Sequence, residues 1–156
     1  MLFRVAQKKD YKAFCYLMSQ VHYSHQIGAP EFYKKEMSHF PEEDFIQEIG
    51  QENIYVLEVN DEIIGFSFHN IIDITNNPAI IDQRFMYIID ICIEEKIKNQ
   101  GYGTIIFNAL KDIAKNKKCN TIKLDVYNFN KEAISFYKKM KLEQEKIGMT
   151  INIQNV

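Results

Sequence analysis

A chain of 156 residues has room for one hydrophobic core of ordinary size and none for a second independent domain. Its 46% hydrophobic content, 13% aromatic and 26% charged, excludes a disordered chain. The 19 basic residues nearly balance 21 acidic ones, giving a net charge of −2, and they are scattered, which argues against a nucleic-acid partner. Cys15, Cys92 and Cys119 are odd in number and widely spaced, as expected of reduced thiols. The chain has neither the ~20-residue apolar run of a membrane span nor a basic start followed by a long apolar stretch. A cytoplasmic protein without a membrane partner is expected.

Leu2 to Ala6 reads as a short strand. A helix follows Asp10, with Tyr11, Phe14, Leu17, Met18 and Val21 at helical spacing, and Gly28-Ala29-Pro30 ends that pattern. Pro41 followed by Glu42, Glu43 and Asp44 has the form of a helix start, because proline suits the first turn and carboxylates favour the positive dipole end. Tyr55–Val59 and Ile63–Ile72, joined at Asn60-Asp61, read as a β-hairpin. Phe85–Ile93 is almost continuously apolar, as in a central strand covered on both faces. Tyr102–Lys117 reads as a helix with Ile106, Leu110, Ile113 and Ala114 on one side. Thr121–Tyr127 then reads as a strand parallel to Phe85–Ile93. Lys131–Met140 is a further predicted helix and Ile147–Ile153 a final predicted strand.

The segment Lys98-Asn99-Gln100-Gly101-Tyr102-Gly103-Thr104 leaves the apolar strand and enters a helix through two glycines. The first turn of a helix offers unpaired N–H groups in a positive potential, and glycines let a backbone approach a pyrophosphate closely. A glycine before a helix also serves as a plain turn. A P-loop would need Gly-Lys followed by Ser or Thr, and the dinucleotide fingerprint a third glycine where Ile106 stands.

With Ile91-Cys92-Ile93 and a short acidic loop before it, this segment resembles the acetyl-CoA-binding motif of the GNAT family of N-acetyltransferases. That motif is Arg or Gln, two variable residues, Gly, one variable residue, then Gly or Ala. Here Lys98 stands at the first position, a cation without the bidentate geometry of Arg. Asn128 to Met140 is similar to the second family signature, Asn-x-x-Ala-x-x-Phe-Tyr, through Asn130, Ala133, Phe136 and Tyr137. Those residues also describe a capped amphipathic helix. Lys141-Leu142 replaces the family's Gly-Phe, so a left-handed helix end would be strained there and a different end is expected.

The resemblance implies an α/β fold, α+β in some schemes, with a mixed central sheet flanked by helices and a parallel strand pair splayed at its carboxyl end. It implies acetyl-CoA as cosubstrate, no metal, and a primary amine of a small molecule or peptide as acceptor. Ile91, Ile93, Lys98, Asn99, Gln100, Gly101, Tyr102, Gly103, Thr104 and Asn130 would then bind the cosubstrate. An amine attacks only when neutral, so its proton, held with a pKa of ~10.4, must go elsewhere. Asp90, a carboxylate in an apolar strand, is the candidate base, although a buried structural acid fits as well. Tyr137 is the candidate acid, since a phenol of pKa ~10 suits a thiolate whose thiol has a pKa of ~8.5.

His22 and His25 lie three apart but lack a third metal ligand at a convincing spacing. The alternative from another class is a non-catalytic acetyl-CoA-binding module, favoured by Lys98 and Lys141. Family members often pair as homodimers, and the last predicted strand would offer an edge for that.

Overall fold

The computed structural model describes residues 1–36 and 40–153. They fall into two compact units, Met1–Asp125 and Val126–Val156. The first unit contains β1 (Leu2–Val5), α1 (Tyr11–Gly28), α2 (Glu42–Gly50), β2 (Ile54–Val59), β3 (Glu62–Ile74), β4 (Gln83–Ile93), α3 (Tyr102–Asn116) and β5 (Thr121–Leu124). The second contains α4 (Lys131–Lys139).

The sheet of the first unit runs β1-β2-β3-β4-β5, antiparallel throughout except for the parallel pair β4–β5. The β2–β3 hairpin turns at Asn60 and Asp61, with φ of 50° and 64°. Two left-handed residues in succession are what a two-residue turn needs to match strand twist, and Asn and Asp tolerate that region best.

One face of the sheet is covered by α1 and α2. Phe14 and Leu17 of α1 and Phe45 of α2 are fully buried against Val56, Phe66, Phe68 and Cys92, with Tyr11, Met18 and Val21 at the margin. The Phe14 ring lies 5.0 Å from that of Phe45 and 4.9 Å from that of Phe66. The helical spacing in α1 thus marks a core face. At the sheet edge, the Arg4 guanidinium spans Asp10 (2.7 Å) and Glu58 (2.5 Å), joining β1, the start of α1 and β2. Ile106, Phe107, Leu110 and Ala114 of α3 are buried on the other face, where Ile106 lies against Gly65.

Three helices end in the same way. Glu52, Lys118 and Lys141 take φ of 58°, 59° and 71° just past α2, α3 and α4. In each, the amide of that residue and the amide after it turn back to close the helix; after α4, Lys141 N–H reaches the Lys138 carbonyl and Leu142 N–H that of Tyr137, both at 3.0 Å. Lys141 therefore keeps the left-handed end that its side chain was expected to prevent. The closing hydrogen bonds outweigh a strain of roughly 1–2 kcal/mol for a residue with a Cβ.

Two predicted strands are corrected. Thr121–Tyr127 is paired only as far as Leu124. The segment Ile147–Ile153 forms no strand: its alternating Ile147, Met149, Ile151 and Ile153 are 68–93% exposed, and no described residue pairs with it. Alternation prepares a face for burial, but a strand exists only where a neighbour takes its backbone hydrogen bonds.

Candidate active site

The parallel ladder runs from Phe85↔Thr121 to Ile88↔Leu124 and stops, while β4 continues to Ile93 alongside β3. Four residues of β4, Asp90 to Ile93, thus pair on one side only. Glu94 N–H bonds the Ile64 carbonyl of β3 at 2.9 Å. Successive residues of a strand point their backbone groups to opposite sides, so those of Ile91 and Ile93 face away from β3, toward the side β5 has left. These are the two residues expected to meet the cosubstrate's arm.

A bulge lies at the fork. Phe68 pairs with Asp90 and His69 with Ile88, so Ile89 is left over. The extra residue reverses the facing of everything after it. Asp90 consequently shares a face with Phe68, Cys92 and Tyr87, the face covered by α1, instead of the α3 face where strict alternation would put it. Its carboxyl makes no hydrogen bond or ion pair among the described residues. Burial alone pushes it up to about 6, because a carboxylate without partners is poorly solvated there.

A pair that sequence reasoning missed involves Tyr87 on the same face. The Tyr87 hydroxyl donates to Asp125 Oδ2 at 2.7 Å, one residue beyond the last paired residue of β5. The hydrogen bond to the carboxylate, with burial, pushes the phenol up to about 12, so it stays protonated. The two residues are 38 apart in sequence, and only the parallel register brings them together.

Beyond β4 the chain makes a single 3-10 turn, Glu95–Ile97, and then a tight loop in which Asn99 has φ 63° and Gly101 φ 89°. No Cβ contact within 4 Å would oppose a side chain at Gly101, so its glycine is needed for the left-handed backbone. The first helical bond of α3 is Ile105 N–H to the Gly101 carbonyl. The amides from Asn99 to Thr104 donate to nothing among the described residues, and those of Tyr102, Gly103 and Thr104 form the open first turn of a 15-residue helix. Such a run can hold a diphosphate by backbone alone. Lys98 is 36% exposed, and its Nζ lies 2.5 Å from Glu95 Oε2. α1 reaches this loop: the Tyr16 hydroxyl donates to Glu94 and Gln20 Oε1 accepts from Glu95 N–H, both at 3.0 Å.

In the second unit, Asn130 caps α4, its Oδ1 accepting from Ala133 N–H at 3.0 Å. Tyr137 is half-buried on the same helix, its ring 5.4 Å from that of Phe136. His22 Nε2 is 2.8 Å from the Lys34 carbonyl, and the His25 ring lies tilted 5.0 Å from that of Tyr33. No group of three metal-ligating side chains occurs among the described residues, nor is any helix among them long and apolar enough to cross a membrane.

Known structures share this architecture. The tetramutant of the BH1408 protein from Bacillus halodurans is 26% identical, with 98% of this chain and 100% of that one covered at a TM-score of 0.92. An aminoglycoside acetyltransferase, meta-AAC0020, from an uncultured soil metagenomic sample, in complex with sisomicin, superposes at a TM-score of 0.73 with 15% identity, covering 97% and 95%. The aminoglycoside N-acetyltransferase AAC(6')-Iy in complex with CoA gives a TM-score of 0.72 with 12% identity, covering 97% and 98%. No curated protein matches the chain. The family model for acetyltransferases of the GNAT type matches residues 7–141, from the turn before α1 through the end of α4, and the chain therefore belongs to the GNAT acetyltransferase family.

Proposed function

We propose that the chain transfers the acetyl group of acetyl-CoA to a primary amine of a small molecule or peptide, by direct attack in a ternary complex. The observation that carries this reading is the fork. Beyond Ile88, β4 runs on without β5 beside it, with the backbone of Ile91 and Ile93 facing the gap, and leads within a few residues to the free amides of 99–104. A pantetheine arm is an extended chain with two amides and a diphosphate at its end. A strand edge followed by an anion-binding helix start complements those groups in the same order. The similarity to an aminoglycoside N-acetyltransferase in complex with CoA supports the cosubstrate and an amine acceptor.

In this mechanism the Ile91 and Ile93 backbone orients the thioester and polarises its carbonyl. Asp90, with no partner of its own and a pKa near the working range, takes the proton of the incoming ammonium directly or through one water. Tyr87 is held protonated by Asp125 and is unsuited to that task. Asn130 joins the cosubstrate-binding residues, and Tyr137 protonates the departing thiolate.

The test is thiol release from acetyl-CoA across a panel of amines that includes polyamines, aminoglycosides and peptide N-termini. At least one amine is expected to accelerate release. Tyr137→Phe should then lower turnover by roughly 100-fold, the range of general acid catalysis, with acetyl-CoA affinity within about twofold. Unaltered turnover removes Tyr137 as the acid, and binding without release on any amine replaces the enzyme with a module that only binds acetyl-CoA.

A further inference from the structure

Lys98 is the side-chain cation at the first position of the coenzyme loop, and its charge is already spoken for: Nζ lies 2.5 Å from Glu95 Oε2. The backbone that carries this carboxylate is tied to α1. Glu95 opens the 3-10 turn Glu95–Ile97, and its N–H donates to Gln20 Oε1 of α1 at 3.0 Å. Beside it, Glu94 accepts from the Tyr16 hydroxyl of the same helix at 3.0 Å. Glu94 and Glu95 balance Lys96 and Lys98, so the side chains of this stretch bring no net charge to an anion.

We propose that Glu95 is a specificity-determining residue of the coenzyme site, an internal carboxylate that occupies Lys98 until a diphosphate displaces it. The assignment rests on reading residues 98–104 as the acetyl-CoA loop. Any anion that uses Lys98 must compete with Glu95 for the charge of its ammonium group, while the amides of 99–104 are open from the start. A singly charged anion gains little from that exchange. A diphosphate gains more, because it engages the amides and the lysine together. The same competition weakens the hold on the product CoA and speeds its departure. Glu95 is 70% exposed, so the effect is a modest factor and is sensitive to salt.

Titration calorimetry with CoA on the native chain, Glu95→Gln, Lys98→Met and the double variant decides the matter. At about 20 mM salt, Glu95→Gln should tighten CoA roughly fivefold, shrinking to within about twofold at 300 mM as screening sets in. Lys98→Met should weaken CoA. In its presence Glu95→Gln should change affinity by less than about twofold, the non-additivity expected of groups in direct contact. Unchanged affinity in Glu95→Gln, or the same gain with and without Lys98, overturns the assignment. Absence of CoA binding by the native chain is a separate result, visible before any variant is compared, and it overturns the acetyl-CoA reading itself.

Discussion

Asp90 is a carboxylate that the fold holds against its preference for water. Its pKa is pushed up to about 6 by burial, from an ordinary value of 3.8, so the native state resists the charged form. The destabilisation is fully present above pH 6 and is relieved as pH falls toward 3.8, where both folded and unfolded chains carry the neutral acid. Asp90→Asn should therefore raise stability at pH 8, by at most about 3 kcal/mol for a shift of two units, with the gain gone near pH 4. The same variant should lower kcat/KM by roughly 100-fold and remove a rise in rate centred near pH 6. Denaturant unfolding at the two pH values and a pH–rate profile check both; a variant with native activity and no added stability would leave Asp90 without a role. Asp90 was legible in the sequence as an acid among apolar neighbours. Which face it takes was not, because that depends on Ile89, and nothing about an isoleucine among isoleucines announces a bulge.

At the scale of elements, the fork depends on a mismatch in length. β4 has 11 residues and β5 has four, so the longer strand outruns its parallel neighbour. β3 supports the exposed end of β4, and at Gly65 the two leave no room for a side chain. A Cβ there would stand 2.7 Å from the Cys92 carbonyl oxygen and 2.7 Å from Ile93 Cδ1, with Ile106 Cδ1 of α3 at 3.3 Å. The carbonyl is backbone and cannot rotate aside. Gly65→Ala should destabilise the chain by roughly 1–3 kcal/mol and weaken CoA binding by displacing the end of β4. Denaturant midpoints and CoA titration measure the two effects, and native values in both would mean that β4 accommodates the methyl group without moving. The α1 face, the Asn60-Asp61 turn and the Asn130 cap were all readable from local pattern, since each depends on contacts within one element or across one turn. The end of β5 was not, because Asp125, Val126 and Tyr127 continue a sequence that suits a strand but lack the ladder partner that would make one.

Across the molecule, buried His69 and half-buried Asp90 give stability opposite pH dependences. His69 is 1% exposed, with Nδ1 lacking a partner among the described residues and its ring 5.6 Å from that of Tyr55. Burial, aided by the Lys117 charge, lowers its pKa to about 4, so it contributes stability that is complete above 6.5 and lost as pH falls to 4. Asp90 works the other way over nearly the same interval, becoming less destabilising as it takes up its proton. Shifts of about two units in opposite senses nearly cancel, and between pH 6 and 4.5 the native chain should keep an almost constant stability. His69→Phe should become more stable as pH falls through this interval, and Asp90→Asn less so. Below it, the carboxylates held low by ion pairs, Asp10 by Arg4 and Glu52 by Lys117, begin to titrate in every variant. Parallel unfolding curves for the three chains would show that other groups set the response.

Sequence alone determined what is written in short-range spacing: the order of helices and strands as far as α4, the hairpin turn, the glycine loop before α3 and the family those motifs carry. Each follows from a few neighbouring residues and the backbone geometry they prefer. Tertiary structure decided where the parallel ladder ends, which face Asp90 takes, the meeting of Tyr87 with Asp125, and whether an alternating segment such as Ile147–Ile153 becomes a strand. Those outcomes depend on backbone hydrogen bonds to partners distant in sequence, and a chain read residue by residue does not say which partner arrives.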